Sequence, residues 1–187
     1  MKDNPFALIT AAGEKYPLAT QVPLEIEELQ DDKMILLGHL MKNTDYQLAF
    51  EKNKKVLVVF TGPNCFISSS WYGKPGIAST WNYMSVHAKG IITFSDEEGT
   101  YQAIKAISDK YEGKASSNSF DKLPKDYVQK MLKAVIAFNI EVESLEHVFK
   151  LSQNHEAETR RQIVAQLNLR TDEHSRAIAR EMEKRLG

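Results

Sequence analysis

Trp81-Asn82-Tyr83-Met84-Ser85-Val86-His87-Ala88-Lys89-Gly90-Ile91-Ile92-Thr93-Phe94 alternates with a period of two residues. One parity carries Met84, Val86, Ala88, Ile92 and Phe94, which suits a core. The other carries Trp81, Tyr83, Ser85, His87 and Lys89, aromatic and polar together. Such a period belongs to a strand with one face buried. A face that mixes rings with polar groups suits a ligand or a partner subunit better than bulk water.

Upstream of this strand the chain also reads as β-structure. Phe6 to Thr10 is a short apolar run closed by a turn at Gly13. Leu18, Thr20, Val22, Leu24 and Ile26 alternate with more polar residues, and Pro23, which has no N–H to donate, predicts an edge or a bend there. Met34 to Leu40 is a third strand. Lys55 to Phe60, apolar on both faces, is a fourth and is expected to be central. Between them Asn43 is expected to cap a short helix through Lys52, burying Tyr46, Leu48, Ala49 and Phe50. The turn signals Gly62-Pro63 and Gly73-Lys74-Pro75-Gly76 enclose Phe66 to Tyr72, which reads as a further strand.

Downstream, Ser95-Asp96-Glu97-Glu98 is a capping box, and the helix it opens carries Tyr101, Ile104, Ile107 and Tyr111 before Gly113. Pro124 suits a first helical residue ahead of Tyr127, Met131 and Leu132. Phe138, Ile140 and Val142 mark another strand, with Val148 to Leu151 expected to return beside it. Two C-terminal helices follow. The first carries Ile163, Val164 and Leu167; the second starts at a Thr171 cap and aligns Ile178, Met182 and Leu186. Strands first, helices between and after, and no βα alternation predict an α+β fold with a mostly antiparallel barrel or sheet.

The chain has 187 residues, 24 Lys+Arg against 25 Asp+Glu, and one cysteine. A net charge of −1 removes any global attraction to nucleic acid or acidic lipid. No run approaches the roughly 20 apolar residues a bilayer requires, and Met1-Lys2-Asp3-Asn4-Pro5 does not open a signal peptide. The single Cys65 fits a reducing compartment, so the expected localisation is cytoplasmic, with no membrane partner. From Glu156 onward seven basic residues face six acidic ones, too balanced for a DNA-reading helix. That segment is expected to pack on a partner or on its own barrel.

Phosphate loops, metalloprotease and Cys-x-x-Cys motifs are absent, and His39, His87, His147, His155 and His174 show no metal-ligand spacing. Cys65 reads as a buried small hydrophobe. The dense chemistry lies in Phe66-Ile67-Ser68-Ser69-Ser70-Trp71-Tyr72 and Ser79-Thr80-Trp81-Asn82-Tyr83. Clustered hydroxyls with Lys42, Lys74 or Lys89 suit a phosphate, and Trp and Tyr rings suit a conjugated ring system. A phosphate-bearing aromatic cofactor uses both features. The competing reading makes Trp71 and Trp81 packing or interface anchors and leaves the serines at strand edges. Lys150-Leu151-Ser152-Gln153-Asn154 is a second polar cluster, where Asn154 either caps the next helix or joins Lys150 on a ligand.

Taken with Asn4-Pro5-Phe6-Ala7, Gly38-His39-Leu40 and Gly62-Pro63, these motifs resemble the PaiB-like FMN-binding negative transcriptional regulators. The likeness covers residues 4 to 154 and rests most on Thr80-Trp81-Asn82-Tyr83 with Val86-His87, and on Lys150 to Asn154. It implies a six-stranded Greek-key split β-barrel, surrounded by helices, that binds FMN as a homodimer in a groove between subunits. The implied division is a flavin-binding domain over 1–154 and a helical extension over 155–187. The implied cofactor residues are Ser68, Ser69, Ser70, Trp71, Thr80, Trp81, Asn82 and Tyr83, with Lys42 or Lys74 on the phosphate. Ser69 and Ser79 stand where the family has prolines, Asn64 stands where it has histidine, and the segment that precedes Asn-Pro-Phe-Ala in the family is expected to be missing. The leading reading is a flavoprotein transcriptional regulator. A flavin-dependent oxidoreductase acting on a small substrate is the alternative, and direct DNA binding is the least favoured.

Overall fold

Pro23 shapes the topology. The computed structural model describes residues 1–28 and 33–186, and within it the alternating run from Leu18 is cut into β2 (Leu18–Pro23) and β3 (Glu25–Glu28). Leu24 alone separates them, and its N–H donates to the Pro5 carbonyl at 2.9 Å. The remaining strands are β1 (Phe6–Ala11), β4 (Met34–Met41), β5 (Lys55–Ile67), β6 (Thr80–Phe94) and β7 (Val135–Lys150). Their order in the sheet is β2-β1-β5-β6-β7-β4-β3. The two ends of that order are consecutive in the chain, so the sheet must curl until its edges approach. The described strands number seven rather than six because an imino acid cannot continue the ladder. Pairings β1–β2, β1–β5, β3–β4 and β4–β7 are all antiparallel. β5 sits between β1 and β6, as its two apolar faces predict.

The helices are α1 (Asp45–Lys52), α2 (Glu97–Tyr111), α3 (Lys125–Ala134), α4 (Ala157–Asn168) and α5 (Glu173–Glu183). Several caps lie one or two residues beyond the predicted ones. Thr44 caps α1 rather than Asn43, Asp96 caps α2 rather than Ser95, and Asp172 caps α5 rather than Thr171. In the last two a carboxylate displaces a hydroxyl, since a charged acceptor is also favoured by the helix dipole. Glu156, not Asn154, precedes α4, and Pro124 stands just before α3 rather than inside it.

Two other expectations change. Phe66 to Tyr72 is not a strand: β5 ends at Ile67, and the Ser68 hydroxyl accepts from the Ser70 N–H at 3.3 Å, starting a 3-10 turn over Ser69–Tyr72. Local side-chain bonding of this kind competes with a ladder. Nor does Val148 turn back, because β7 continues for 16 residues to Lys150. Between Val142 and Val148 the chain offers Glu, Ser, Leu, Glu and His, with no Gly, Pro, Asn or Asp to turn it.

The chain divides into two compact units, Met1–Phe60 with His87–Leu145, and Thr61–Val86 with Glu146–Gly187; β5, β6 and β7 each run through both. In the first, Ile9, Leu24, Leu36, Val58, Ile92 and Ile140 are fully buried. Gly38 faces Phe138 across the β4–β7 ladder, and a Cβ on Gly38 would stand 2.7 Å from the Phe138 ring. Only glycine lets that ring cross the strand. In the second unit, Ile163, Val164 and Leu167 of α4 and Ile178, Ala179 and Met182 of α5 pack with Cys65, Ile67, Tyr72 and Leu151. The C-terminal helices therefore cover their own unit. None of the described helices is long and apolar enough to cross a membrane.

Candidate functional site

Both tryptophans belong to the second unit, in different surroundings. Trp81, on the solvent parity of β6, is 54% exposed, and Phe66 meets it edge-on with ring centroids 6.2 Å apart. Phe66 is itself 40% exposed, and Tyr83, two residues along from Trp81, is 38% exposed. Three large rings facing water in one region need an occupant or a partner to cover them. Trp71 is half-buried against the unit's core, and the Arg170 guanidinium lies over its ring at 4.8 Å. Arg170 also donates to the Phe66 carbonyl at 3.1 Å, so one side chain ties the 3-10 turn to the end of β5.

Around that turn Ser70 is exposed and Ser68 and Ser69 are half-buried. Ser68 and Ser70 hydroxyls lie 2.8 Å apart, and the Ser69 N–H donates to the Ser79 hydroxyl at 3.0 Å. The latter bond holds the turn beside the residue that precedes β6. Lys74 lies 3.6 Å from the Glu156 carboxylate, both well exposed, and the Lys150 ammonium meets the Thr80 hydroxyl. An exposed ion pair of this kind is worth about 0–1 kcal/mol, so Lys74 is readily released to another anion.

Asn82 differs from its neighbours. Its side chain is fully buried, with Oδ1 accepting from the Ser152 hydroxyl at 3.1 Å and Nδ2 donating to the Met182 sulfur at 3.5 Å. It joins the two motifs of the sequence, around Trp81 and around Ser152, from inside the unit. Ser152 holds a positive φ of 57°, and Gln153 braces the same bend by accepting from the Leu151 N–H at 2.6 Å. Lys42 lies in the first unit, where its ammonium donates to the Leu132 carbonyl at 2.9 Å near the end of α3. The second unit thus gathers Ser68, Ser69, Ser70, Trp71, Lys74, Thr80, Trp81, Asn82 and Tyr83, and does not include Lys42.

Two contributors are invisible to local sequence reading. Phe66 opens the dense segment but nothing local pairs it with Trp81, and Arg170 lies in a different segment from the tryptophan it covers. Burial pushes the Cys65 thiol up to about 11, which disfavours the thiolate that a nucleophile needs. Among the described residues no group of His, Cys, Asp and Glu could hold a metal. The donor set fits FMN: exposed rings offer a flat apolar face, and Lys74 offers charge. The Ser68–Ser70 pair, sharing one hydrogen between two hydroxyls, keeps a second proton for a phosphate oxygen.

Comparison with known proteins agrees with this chemistry. Residues 1–144 match the family described as "Putative FMN-binding domain". The chain is 30% identical over 188 residues to "Protease synthase and sporulation protein PAI 2" of Bacillus subtilis, covering 100% of this chain and 89% of that protein. Its fold is like that of the FAD and heme binding protein from Mycobacterium smegmatis, with TM-score 0.56 and 15% identity over 78% of this chain and 65% of the other. It is also like that of the flavocytochrome Anf3 from Azotobacter vinelandii, with TM-score 0.57 and 13% identity over 78% of this chain and 62% of the other. The α+β split β-barrel is thereby established, and the chain belongs to the FMN-binding domain family, in which the Bacillus subtilis PAI 2 protein is its relative.

Proposed function

We propose that the protein is a homodimeric flavin sensor that acts in the cytoplasm as a negative transcriptional regulator of the PaiB type. The observation that carries the flavin reading is the exposed Trp81 ring, with Phe66 against it, in the same unit as the paired Ser68 and Ser70 hydroxyls. In this reading Trp81 and Tyr83 flank the isoalloxazine, and Ser68, Ser69, Ser70, Thr80 and Lys74 bind the phosphate. Trp71 is held in place by Arg170 and supports the turn. Asn82 acts through its buried bond to Ser152, as a positioning residue. Residues 1–154 form the flavin module and 155–187 a helical extension. Bound flavin supplies reversible hydride or electron transfer, which suits redox sensing.

The regulatory part is supported by the relative whose name links it to protease synthesis and sporulation. Dimerisation is supported by the uncovered rings Phe66, Trp81 and Tyr83, which a second copy would bury. Titrating the protein with FMN and following the flavin's visible absorbance tests the reading, with light scattering on the same samples. Micromolar or tighter binding by a dimer is expected, with Trp81→Ala losing at least roughly tenfold in affinity through its ring contact. A monomer that does not bind flavin overturns it. Steady nicotinamide oxidation by the loaded protein would transfer the case to an oxidoreductase.

A further inference from the structure

We propose that the second unit holds another binding site, for an organic monoanion with an apolar body such as an aromatic or short-chain carboxylate. The site is a cavity of about 470 Å³ reaching from the end of β7 to α4 and the C-terminal end of α5. That volume lies in the range of small-molecule pockets, roughly 300–1,000 Å³. Its walls include Val148, Phe149, Leu151 and Met182, an apolar lining for a hydrocarbon or ring. His147 adds a second flat group, its imidazole 5.1 Å from the Phe149 ring.

The charge of the site comes from two arginines, and they are not equivalent. Arg185 is already paired: it donates to the Glu181 carboxylate and carbonyl at 2.6 and 2.7 Å and lies 5.8 Å from the Phe149 ring. Among the described residues Arg160 uses only Nη1, on the Arg185 carbonyl at 2.8 Å. Its Nε is buried without an acceptor, and no carboxylate pairs with it among the described residues. A buried donor on a cation is costly to leave unmade. Nε is closed to solvent as the side chain stands, so a carboxylate would meet the Nε–Nη2 edge with two parallel hydrogen bonds once the guanidinium turns toward the cavity. One unpaired guanidinium calls for one negative charge, which favours a carboxylate over a phosphate dianion. Gln153 is fixed in the wall by its amide, which accepts from the Leu151 N–H and donates one N–H to the Phe149 carbonyl, so its second N–H can support but not replace the arginine.

This inference does not rest on the flavin reading, and its test reads different residues. Benzoate and hexanoate would be titrated into the full-length protein, with and without FMN, while the Arg160 Nε–H resonance is followed by ¹⁵N-edited NMR. A saturable shift of that resonance is expected for the acids, and none for benzamide or hexanamide. Arg160→Met should weaken binding by roughly tenfold or more, the loss of a charge-assisted pair. Val148→Trp, on an exposed wall position, should block the cavity while leaving the fold and the FMN titration unchanged. It keeps the proposal testable if Arg160→Met fails to fold. Equal binding of acid and amide, unchanged affinity in Arg160→Met or Val148→Trp, saturation by inorganic phosphate alone, or no saturable shift would each overturn the proposal.

Discussion

Replacing Ser152 with alanine removes one oxygen and isolates another. The Asn82 Oδ1 that accepts from Ser152 at 3.1 Å sits in a side chain with 0% exposure, so water cannot replace the lost donor. Stranding a buried acceptor costs about 1–3 kcal/mol. For a chain of 187 residues, at about 2–4 °C per kcal/mol, that is a fall in Tm of about 2–12 °C. Asn82→Ala costs more, since it strands the Ser152 hydroxyl and also opens a void beside Met182. In the double variant neither group is left without its partner. The combined loss should therefore fall short of the sum of the singles by about 1 kcal/mol or more. Urea denaturation followed by tryptophan fluorescence is the natural assay, because Trp71 and Trp81 both lie in the second unit with this pair. If the two substitutions add within about 0.5 kcal/mol, the motifs around Trp81 and Ser152 are not coupled in this way.

Three further outcomes are expected. His39 has a buried, unpartnered Nδ1, and burial lowers its pKa from 6.5, so the folded state holds it neutral. Its contribution is complete above that value and declines as pH falls below it; the stability gap between wild type and His39→Leu should shift toward the variant from about pH 7 to about pH 5, and parallel profiles would exclude this. The Cys65 thiol, pushed up to about 11 by burial, should resist maleimide in the native protein and react once urea unfolds it; rapid stoichiometric labelling of folded protein would contradict the burial argument. In Gly90→Ala the new Cβ would stand 2.4 Å from the Glu141 carbonyl oxygen on β7, so backbone must move; a loss of about 3 kcal/mol or more is expected by thermal melting, and a change under about 0.5 kcal/mol would refute the close approach.

Much of this fold was legible locally because its signals are local. The two-residue period of β6 announced a strand with an aromatic outer face, and Trp81 and Tyr83 are indeed uncovered. The apolar run of β5 announced an interior strand, and the spacing of Ile178 and Met182 announced the buried face of α5. Misreadings arose where two local rules competed. Phe66 to Tyr72 has strand composition, but a serine hydroxyl at Ser68 captures a backbone N–H and turns the chain instead. Asn82 sits between two exposed rings, which suggested a ligand contact, yet the parity of the strand turns it inward.

By itself the sequence determined the antiparallel character of the sheet, the break at Pro23, the helical termini within a residue or two, and the family. Each of these depends on alternation, on a missing N–H or on short motifs within a few residues of one another. Only the tertiary structure decided that Asn82 serves Ser152, that Arg170 covers Trp71, and that Lys42 is committed to a helix end in the other unit. It alone left Arg160 with a buried, unmatched donor beside an apolar cavity. Those pairings join residues far apart in the chain, and whether a polar group is satisfied depends on which distant segment packs against it.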